Sequence, residues 1–570
     1  YPIVVSDQGS PDGWIRYTSK PGAKLGGKDL MSGIFRVAGA RHVILEGMTL
    51  VGGGGNGSNP ILIEDSTGVR VRNCELYGYG RVGRPDVGNC AGRFRASEDP
   101  ARATAFIDWD AGVMIHPKSA EVTVERCYIH DPRNRSAAWY YSHPAGCQGI
   151  FVFRAAHSVV LRWNDIVGSD NHRWNDAIEG CDNFGPAGGF NRDADIYGNF
   201  AIFANDDNIE LDGGQQNVRC FDNRFEAACS AVSIQGCCTS PSYVFDNLLG
   251  PCCDEFGTSH PAIKTSTFDP YWYAPYAGIW GNYMAEASFS PGKGLLSRYD
   301  IRDNTFSAGP VPDEVSAKYP VRDLPFILST GLISGIRVSG QTAAPSSLTF
   351  TARATKPQRF AVRQNFDGDW YDVTPKSGTL PVGETTFTVT FRPERMAGRR
   401  NWRAAFLIRT PEGLSRCVSL YAERTDFAPP LRPVPPSGRT RYVDLPGGNA
   451  AEFSLDVKES GRYWLFAHVR SLAEVVRSTA TASRLAYPDA MISIDGGKPQ
   501  RVKFWAYADY PVWTLFRPGR SGRLGGASAC SPVELAAGRH TVKIVPMNAH
   551  QKYDLTGFAV SDDPIPFEPR

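Results

Sequence analysis

The sequence predicts an all-β chain: a parallel β-helix followed by two β-sandwich domains. Three observations predict it. A short motif recurs at spacings in the low twenties. The β-runs between turns are brief, with 58 glycines, 41 prolines and few long helical patterns. A proline-rich stretch near residue 430 separates two regions of alternating strands.

The motif sets a small or polar residue, a variable residue and an apolar residue at the end of a short strand. It reads Met48-Thr49-Leu50, Cys74-Glu75-Leu76, Cys127-Tyr128-Ile129 and Asn164-Asp165-Ile166. It continues as Asn199-Phe200-Ala201, Asn223-Arg224-Phe225, Asn247-Leu248-Leu249, Asn282-Tyr283-Met284 and Asn304-Thr305-Phe306. The shortest spacings are 22, 24, 24 and 26, and the longer ones, 53, 37 and 35, equal one such unit plus an insertion. A period this short without helix is the sign of a solenoid whose coils stack. A buried asparagine at one place in each coil can hydrogen-bond to the coils above and below. Cys74 and Cys127 then read as small buried occupants of that place, since no CxxC…CxxC pattern marks a zinc site.

Residues 1–328 are assigned to this helix. About 12 residues before each motif lies another strand, at Ile61-Leu62-Ile63, Val113-Met114-Ile115, Ile150-Phe151-Val152, Ile209-Glu210-Leu211 and Val232-Ser233-Ile234. Ile178 and Ile263 fall at the corresponding place. The outward positions then read Leu62, Met114, Phe151, Glu179, Glu210, Ser233 and Lys264, changing from apolar to ionisable midway. Insertions at 78–111, 130–148, 167–175, 182–192 and 268–277 flank that face as candidate groove walls. Residues 329–426 alternate as a sandwich, and Val373-Thr374-Pro375-Lys376-Ser377-Gly378-Thr379-Leu380 resembles immunoglobulin-like modules of carbohydrate-active enzymes. A semi-rigid linker, 427–437, precedes 438–570. There Gly461-Arg462-Tyr463-Trp464-Leu465-Phe466-Ala467 and the run from Leu535 to Ile544 resemble a jelly-roll carbohydrate-binding module.

Composition narrows the function. The 61 basic and 59 acidic residues nearly cancel, which argues against a nucleic-acid partner. No apolar run approaches the ~20 residues needed to cross a bilayer, so no membrane insertion is expected. No signal peptide is visible, and Tyr1 reads as a processed or trimmed start. The 13 cysteines include Cys237-Cys238 and Cys252-Cys253. They suggest an exported protein, secreted, periplasmic or at the cell surface, with some disulfides near 229–253; buried thiols are the alternative. A monomer is expected.

The chemistry concentrates in Asp206-Asp207-Asn208-Ile209-Glu210-Leu211-Asp212, echoed by Asp176-Ala177-Ile178-Glu179. Strand alternation turns Ile209 and Leu211 inward and Glu210 and Asp212 outward. Stacking the two stretches crowds carboxylates on one surface. That raises their pKa values and suits acid/base work or a bound cation. The plainer alternative is that some of these aspartates cap turns.

These stretches resemble polygalacturonases, glycoside hydrolases within the pectate-lyase-like superfamily of right-handed parallel β-helices. Trp174-Asn175-Asp176-Ala177-Ile178-Glu179 stands where that family has Asn-Thr-Asp-Gly, and Asn205-Asp206-Asp207-Asn208 where it has Gly-Asp-Asp. Ala262-Ile263-Lys264 resembles its Arg-Ile-Lys element, with alanine for arginine. The family's Gly-His-Gly is missing, and Cys229-Ser230-Ala231 stands near its place. The resemblance implies a polysaccharide substrate and catalytic roles for Asp176, Asp206 and Asp207, and it favours inversion. With the outward geometry, the candidate catalytic set is Asp176, Asp207, Glu210 and Asp212, supported by Asp206 and Glu179. Lys264, His116, Arg154, His172 and Gln235, with the loop aromatics Trp139, Tyr140, Tyr141 and Trp272, are candidate substrate contacts. No cofactor is required by this reading. A rival reading is a lyase, in which Asp206, Asp207, Glu210 and Asp212 hold Ca²⁺, Lys264 is the base and Arg154 or Arg192 binds a uronate. A third is a solenoid that binds glycans without cleaving them.

Overall fold

In the computed structural model, three long parallel sheets share the N-terminal half of the chain. The structure describes residues 2–562 apart from 27–32, 54–58, 81–109, 134–135, 137, 139–143, 145, 184, 236–240, 256, 258, 266–275, 288, 290–298, 428–438, 473–484, 487, 504–505, 508–510, 519–531 and 548–551. The first sheet has nine strands, from Ile3–Val5 through Gln148–Phe153, Ile178–Cys181 and Asp207–Glu210 to Ile263–Lys264. The second and third have ten each, running from Ile15–Thr18 to Tyr299–Arg302 and from Lys24–Gly26 to Thr305–Ser307. Strands follow chain order within each sheet, so each full coil gives one strand to each. This is a right-handed parallel β-helix, of the hand that parallel crossovers almost always take. Among the described residues, no helix is long and apolar enough to cross a membrane.

The asparagines hold the corner between the second and third sheets. The Asn164 backbone N–H and side-chain amide both donate to Asn199 Oδ1, at 3.0 Å each. The same double contact joins Asn199 to Asn223, Asn223 to Asn247, Asn247 to Asn282 and Asn282 to Asn304. The residue before each asparagine must turn the chain in the left-handed region. Gly198 and Gly281 do so at little cost, and Asp222, Asp246 and Asp303 take it in other coils. The register matches the sequence reading: Leu62 pairs with Met114, Met114 with Phe151, Phe151 with Glu179, Glu210 with Ser233, and Ser233 with Lys264. Ile209 and Leu211 lie in the helix core.

Two antiparallel-rich pairs of sheets follow, each with its own core. Phe326–Leu328, assigned above to the helix, already pairs antiparallel with Ser347–Ala354 of the first sandwich. The disulfides expected near 229–253 are not found among the described residues. Cys229, Cys252 and Cys253 are buried thiols, because their strands and turns point them into packed interior.

The first sandwich is packed onto the third sheet. Its strands Asn401–Arg409 and Ser415–Arg424 are buried on both faces. Trp402, Phe406, Ile408, Val418 and Leu420 enter the sandwich core, whereas Ala405, Leu407, Cys417 and Tyr421 pack against Tyr128, Phe200 and Leu248 of the helix. Buried charge crosses the same contact. Asp165, which follows the ladder residue Asn164, accepts from Arg322 at 2.9 Å, Arg409 at 3.0 Å and the Ser415 hydroxyl at 2.6 Å. Glu226 accepts from Arg224 at 2.6 Å and from the Tyr421 hydroxyl at 3.0 Å.

Two stability measurements check these contacts. Asn223→Ala strands buried partners on both neighbouring coils, costing about 1–3 kcal/mol per orphaned group. Asn304→Ala, at the half-exposed end of the ladder, should cost far less, as read from unfolding midpoints. Asp165→Ala leaves two buried guanidinium groups without their carboxylate and should cost about 3–5 kcal/mol.

Candidate active site

The first sheet carries the carboxylates on its outer face. Ile178 pairs with Ile209, and continuing that register sets Glu179 beside Glu210. One feature escaped the sequence reading. Trp174 bridges to Ala204, so the later coil has one more residue than the earlier one between that bridge and the Ile178–Ile209 pair. The extra residue is a bulge, and bulges re-aim side chains. Here it presents two consecutive carboxylates, Asp206 and Asp207, to the single Asp176.

Two groups of three result, sharing Asp176. Asp176, Asp206 and Asp207 have carboxylate oxygens within 4.8 Å of one another, and so do Asp176, Glu179 and Glu210. Lys264 reaches back from the last strand of the sheet, with Nζ 3.0 Å from Asp206 Oδ1 and 2.6 Å from Asp207 Oδ2. Asp176 also accepts from the Asp207 backbone N–H at 2.8 Å and from the Asn175 amide at 2.9 Å. Asp212 accepts from the Ser233 hydroxyl at 2.8 Å and the Gln235 backbone N–H at 2.6 Å. All six carboxylates are at least nine-tenths buried.

Burial and crowding set their protonation. Burial, then the charges of Asp206, Asp207 and Glu179, push Asp176 well above the usual carboxylate range. Burial raises Asp207 likewise, against the pull of Lys264. Burial followed by Asp212, Asp176 and Glu179 raises Glu210. Burial lifts Asp212 only to about 6, because Lys264, Ser233 and Gln235 favour its ionised form. Burial works against the charge of Lys264, but Asp206, Asp207 and Asp212 outweigh it and hold the ammonium well above its ordinary value. The arrangement therefore sets carboxyls whose protonated form burial favours beside Asp212, which ionises more readily.

The remaining candidates divide. Gln235 joins the cluster through its backbone N–H. His116 does not: its ring meets Met114 Sδ at 3.0 Å and stands edge-on to Phe153, in the apolar part of the column two coils earlier. Arg154 is exposed and paired with Asp182. His172 sits in a turn with Ser169, which hydrogen-bonds Asp367 of the first sandwich. Arg192 begins an exposed strand end in the second sheet, away from the carboxylates. Trp139, Tyr140, Tyr141 and Trp272 lie outside the described residues. Two partners were missed: Gln148, whose amide donates to Glu179, and Asn183, whose amide donates to Glu210. Gln148 opens a strand in the same sheet, so the register could have revealed it. Asn183 comes from a loop that periodicity does not place.

Comparison with known proteins adds likeness of architecture alone. No family model and no curated protein matches the chain. Among solved structures, the Streptococcus pneumoniae surface protein and adhesin PfbA is 13% identical over 48% of this chain and 66% of its own, with a TM-score of 0.29. The Yersinia enterocolitica family 28 exopolygalacturonase is 14% identical over 50% of this chain and 45% of its own, at 0.25. Tailspike protein 2 from Escherichia coli O157:H7 bacteriophage CAB120 is 8% identical over 98% of this chain and 63% of its own, also at 0.25. This chain spans less than two thirds of each neighbour's length. At these identities and TM-scores no activity is read from them, and the fold rests on the strand pairing itself.

The raised Glu210 makes a signed prediction. Its folded-state pKa lies above the unfolded one, so its stabilising contribution is present at low pH and lost as pH rises through the folded value. Glu210→Gln mimics the protonated form. It should melt higher than the parent at about pH 8, with the gap closing toward about pH 4. A lower melting temperature at the alkaline end would mean that the charged form is the one the fold favours.

Proposed function

We propose that the chain is a glycoside hydrolase that cleaves a polysaccharide on the outer face of the first sheet, outside the cell or at its surface. The observation that supports this is the pair of buried carboxylate groups sharing Asp176, in which burial favours the protonated form, with the more acidic Asp212 beside Glu210. Glycoside hydrolysis needs that combination. A protonated carboxyl, drawn from Asp176 and Glu210, gives its proton to the glycosidic oxygen. The bond from that oxygen to the anomeric carbon breaks. Water adds at the carbon and passes its proton to the ionised Asp212. Within each group of three the oxygens lie closer than inverting enzymes place theirs, at about 6.5–9.5 Å. An inverting pair would have to be drawn across the two groups, Asp207 with Glu210, or reach Asp212, which lies in neither.

The same geometry weighs against the lyase reading. A lyase base must be neutral when it takes its proton, and Lys264 is held charged by two carboxylates in direct contact. The four ligands assigned to Ca²⁺ also differ from the grouping observed, in which Asp176 is central. A hard cation would find its oxygens in either group of three, and in the first it would compete with Lys264.

Reducing ends released from a panel of polysaccharides, without the ultraviolet absorbance of a new carbon–carbon double bond, are the expected result, and chelator should leave the rate unchanged. The acid limb of the pH profile should fall near 6, as Asp212 takes up a proton. Lys264→Ala removes the cation that lowers Asp212, so that limb should move to higher pH while activity persists. Complete loss of activity at every pH, with an unsaturated product from the parent, would overturn the hydrolase. Binding without any bond cleavage would leave the solenoid as a glycan receptor.

A further inference from the structure

A cleft of about 360 Å³ opens between the early coils, where they turn into the third sheet, and the first sandwich. Its size is at the low end of small-ligand pockets, about 300–1,000 Å³. The sandwich wall is cationic. Arg359 and Arg363 are exposed and share one face of the strand Gln358–Gln364, where alternate residues point the same way. Between them Ala361 pairs with Arg409 on the next strand, adding a third guanidinium to the lining. Arg409 is committed to Asp165, so it contributes field rather than contact.

The other wall is neutral to acidic. Asn73 and Glu75 line it, with Glu75 held 3.3 Å from His130 Nε2. Thr410, 5% exposed, also lines the cleft, and its hydroxyl has no hydrogen-bond partner among the described residues. Asn73 and Glu75 on the helix wall and the Thr410 hydroxyl on the sandwich side together serve a ligand that brings several hydroxyl donors. A pair of arginine forks serves a planar carboxylate. Glu75 works against a compact, multiply charged anion such as phosphate, yet it accepts readily from sugar hydroxyls.

We propose that this cleft is a binding site for a uronic acid residue, its carboxylate on Arg359 and Arg363 and its hydroxyls on Glu75, Asn73 and Thr410. The proposal stands apart from the reading of the carboxylate cluster, since it uses none of those residues. Calorimetric titration of the intact chain with glucuronate, glucose and inorganic phosphate tests it. Glucuronate should bind more tightly than either of the others. The double variant Arg359→Ala/Arg363→Ala should bind it about tenfold more weakly or worse, with the melting temperature and the release of reducing ends unchanged. Arg363→Lys keeps the charge but loses the fork, and should also weaken binding. Undiminished binding by the double variant would place the ligand elsewhere. Phosphate binding as tightly as glucuronate, or wild-type affinity in Arg363→Lys, would reduce the cleft to a plain cationic patch and overturn the proposal.

Discussion

One side-chain amide per coil holds this molecule in register. An asparagine carboxamide can both donate and accept, so each Asn of the ladder after Asn164 takes two hydrogen bonds from the coil before it, and its amide in turn donates to backbone or side-chain oxygens. A slip by one residue would break the chain of amides and turn core residues to solvent at once. The strands of the first sheet are short, four residues or fewer in its later coils. Too short to specify their own pairing, they inherit it from the corner.

Register then stacks like on like, and the effect depends on the group stacked. Amides gain from it. Aromatic rings gain too: Tyr197, Phe221, Phe245 and Trp280 lie in a ladder on the second sheet with centroids 5.0–5.2 Å apart. Carboxylates lose. Asp176, Glu179, Asp207 and Glu210 are brought together by the same translation that makes the ladders favourable, and only retained protons and the Lys264 ammonium make their burial tolerable. The site is where the repeat works against its own stability, and the bulge before Asp207 adds one more carboxylate than the coil period alone would supply.

The legible part of the sequence was the part that repeats. The asparagine ladder, the outward column from Leu62 to Lys264 and the inward turn of Ile209 and Leu211 all follow from period and alternation. His116 stands apart from the carboxylates, beside Met114 and Phe153, because alternation says which face a residue takes but not how far along the sheet its neighbours change character. Asn183 was missed because it comes from an insertion, where no period applies. The adjacent cysteine pairs suggested either a disulfide framework or buried thiols; Cys229, Cys252 and Cys253 are thiols packed in the interior, while Cys237 and Cys238 lie outside the described residues. The contact between helix and sandwich did leave a trace. On the side of Asn401–Arg409 and Ser415–Arg424 that a solitary sandwich would show to water stand Ala405, Leu407, Cys417 and Tyr421, too apolar for an exposed sheet.

That double burial bears on how such a protein can be taken apart or recombined. The helix and the first sandwich look like separable modules in a linear map, with a boundary near residue 326. Their partition runs instead through Asp165, Glu226 and the arginines that serve them. Severed at the boundary, the solenoid would keep Arg322 on Asp165 and Arg224 on Glu226 but lose Arg409, Ser415 and the Tyr421 hydroxyl from them, and would bare an apolar strip along its third sheet. The helix and the first sandwich therefore behave as one unit in any recombination of the chain.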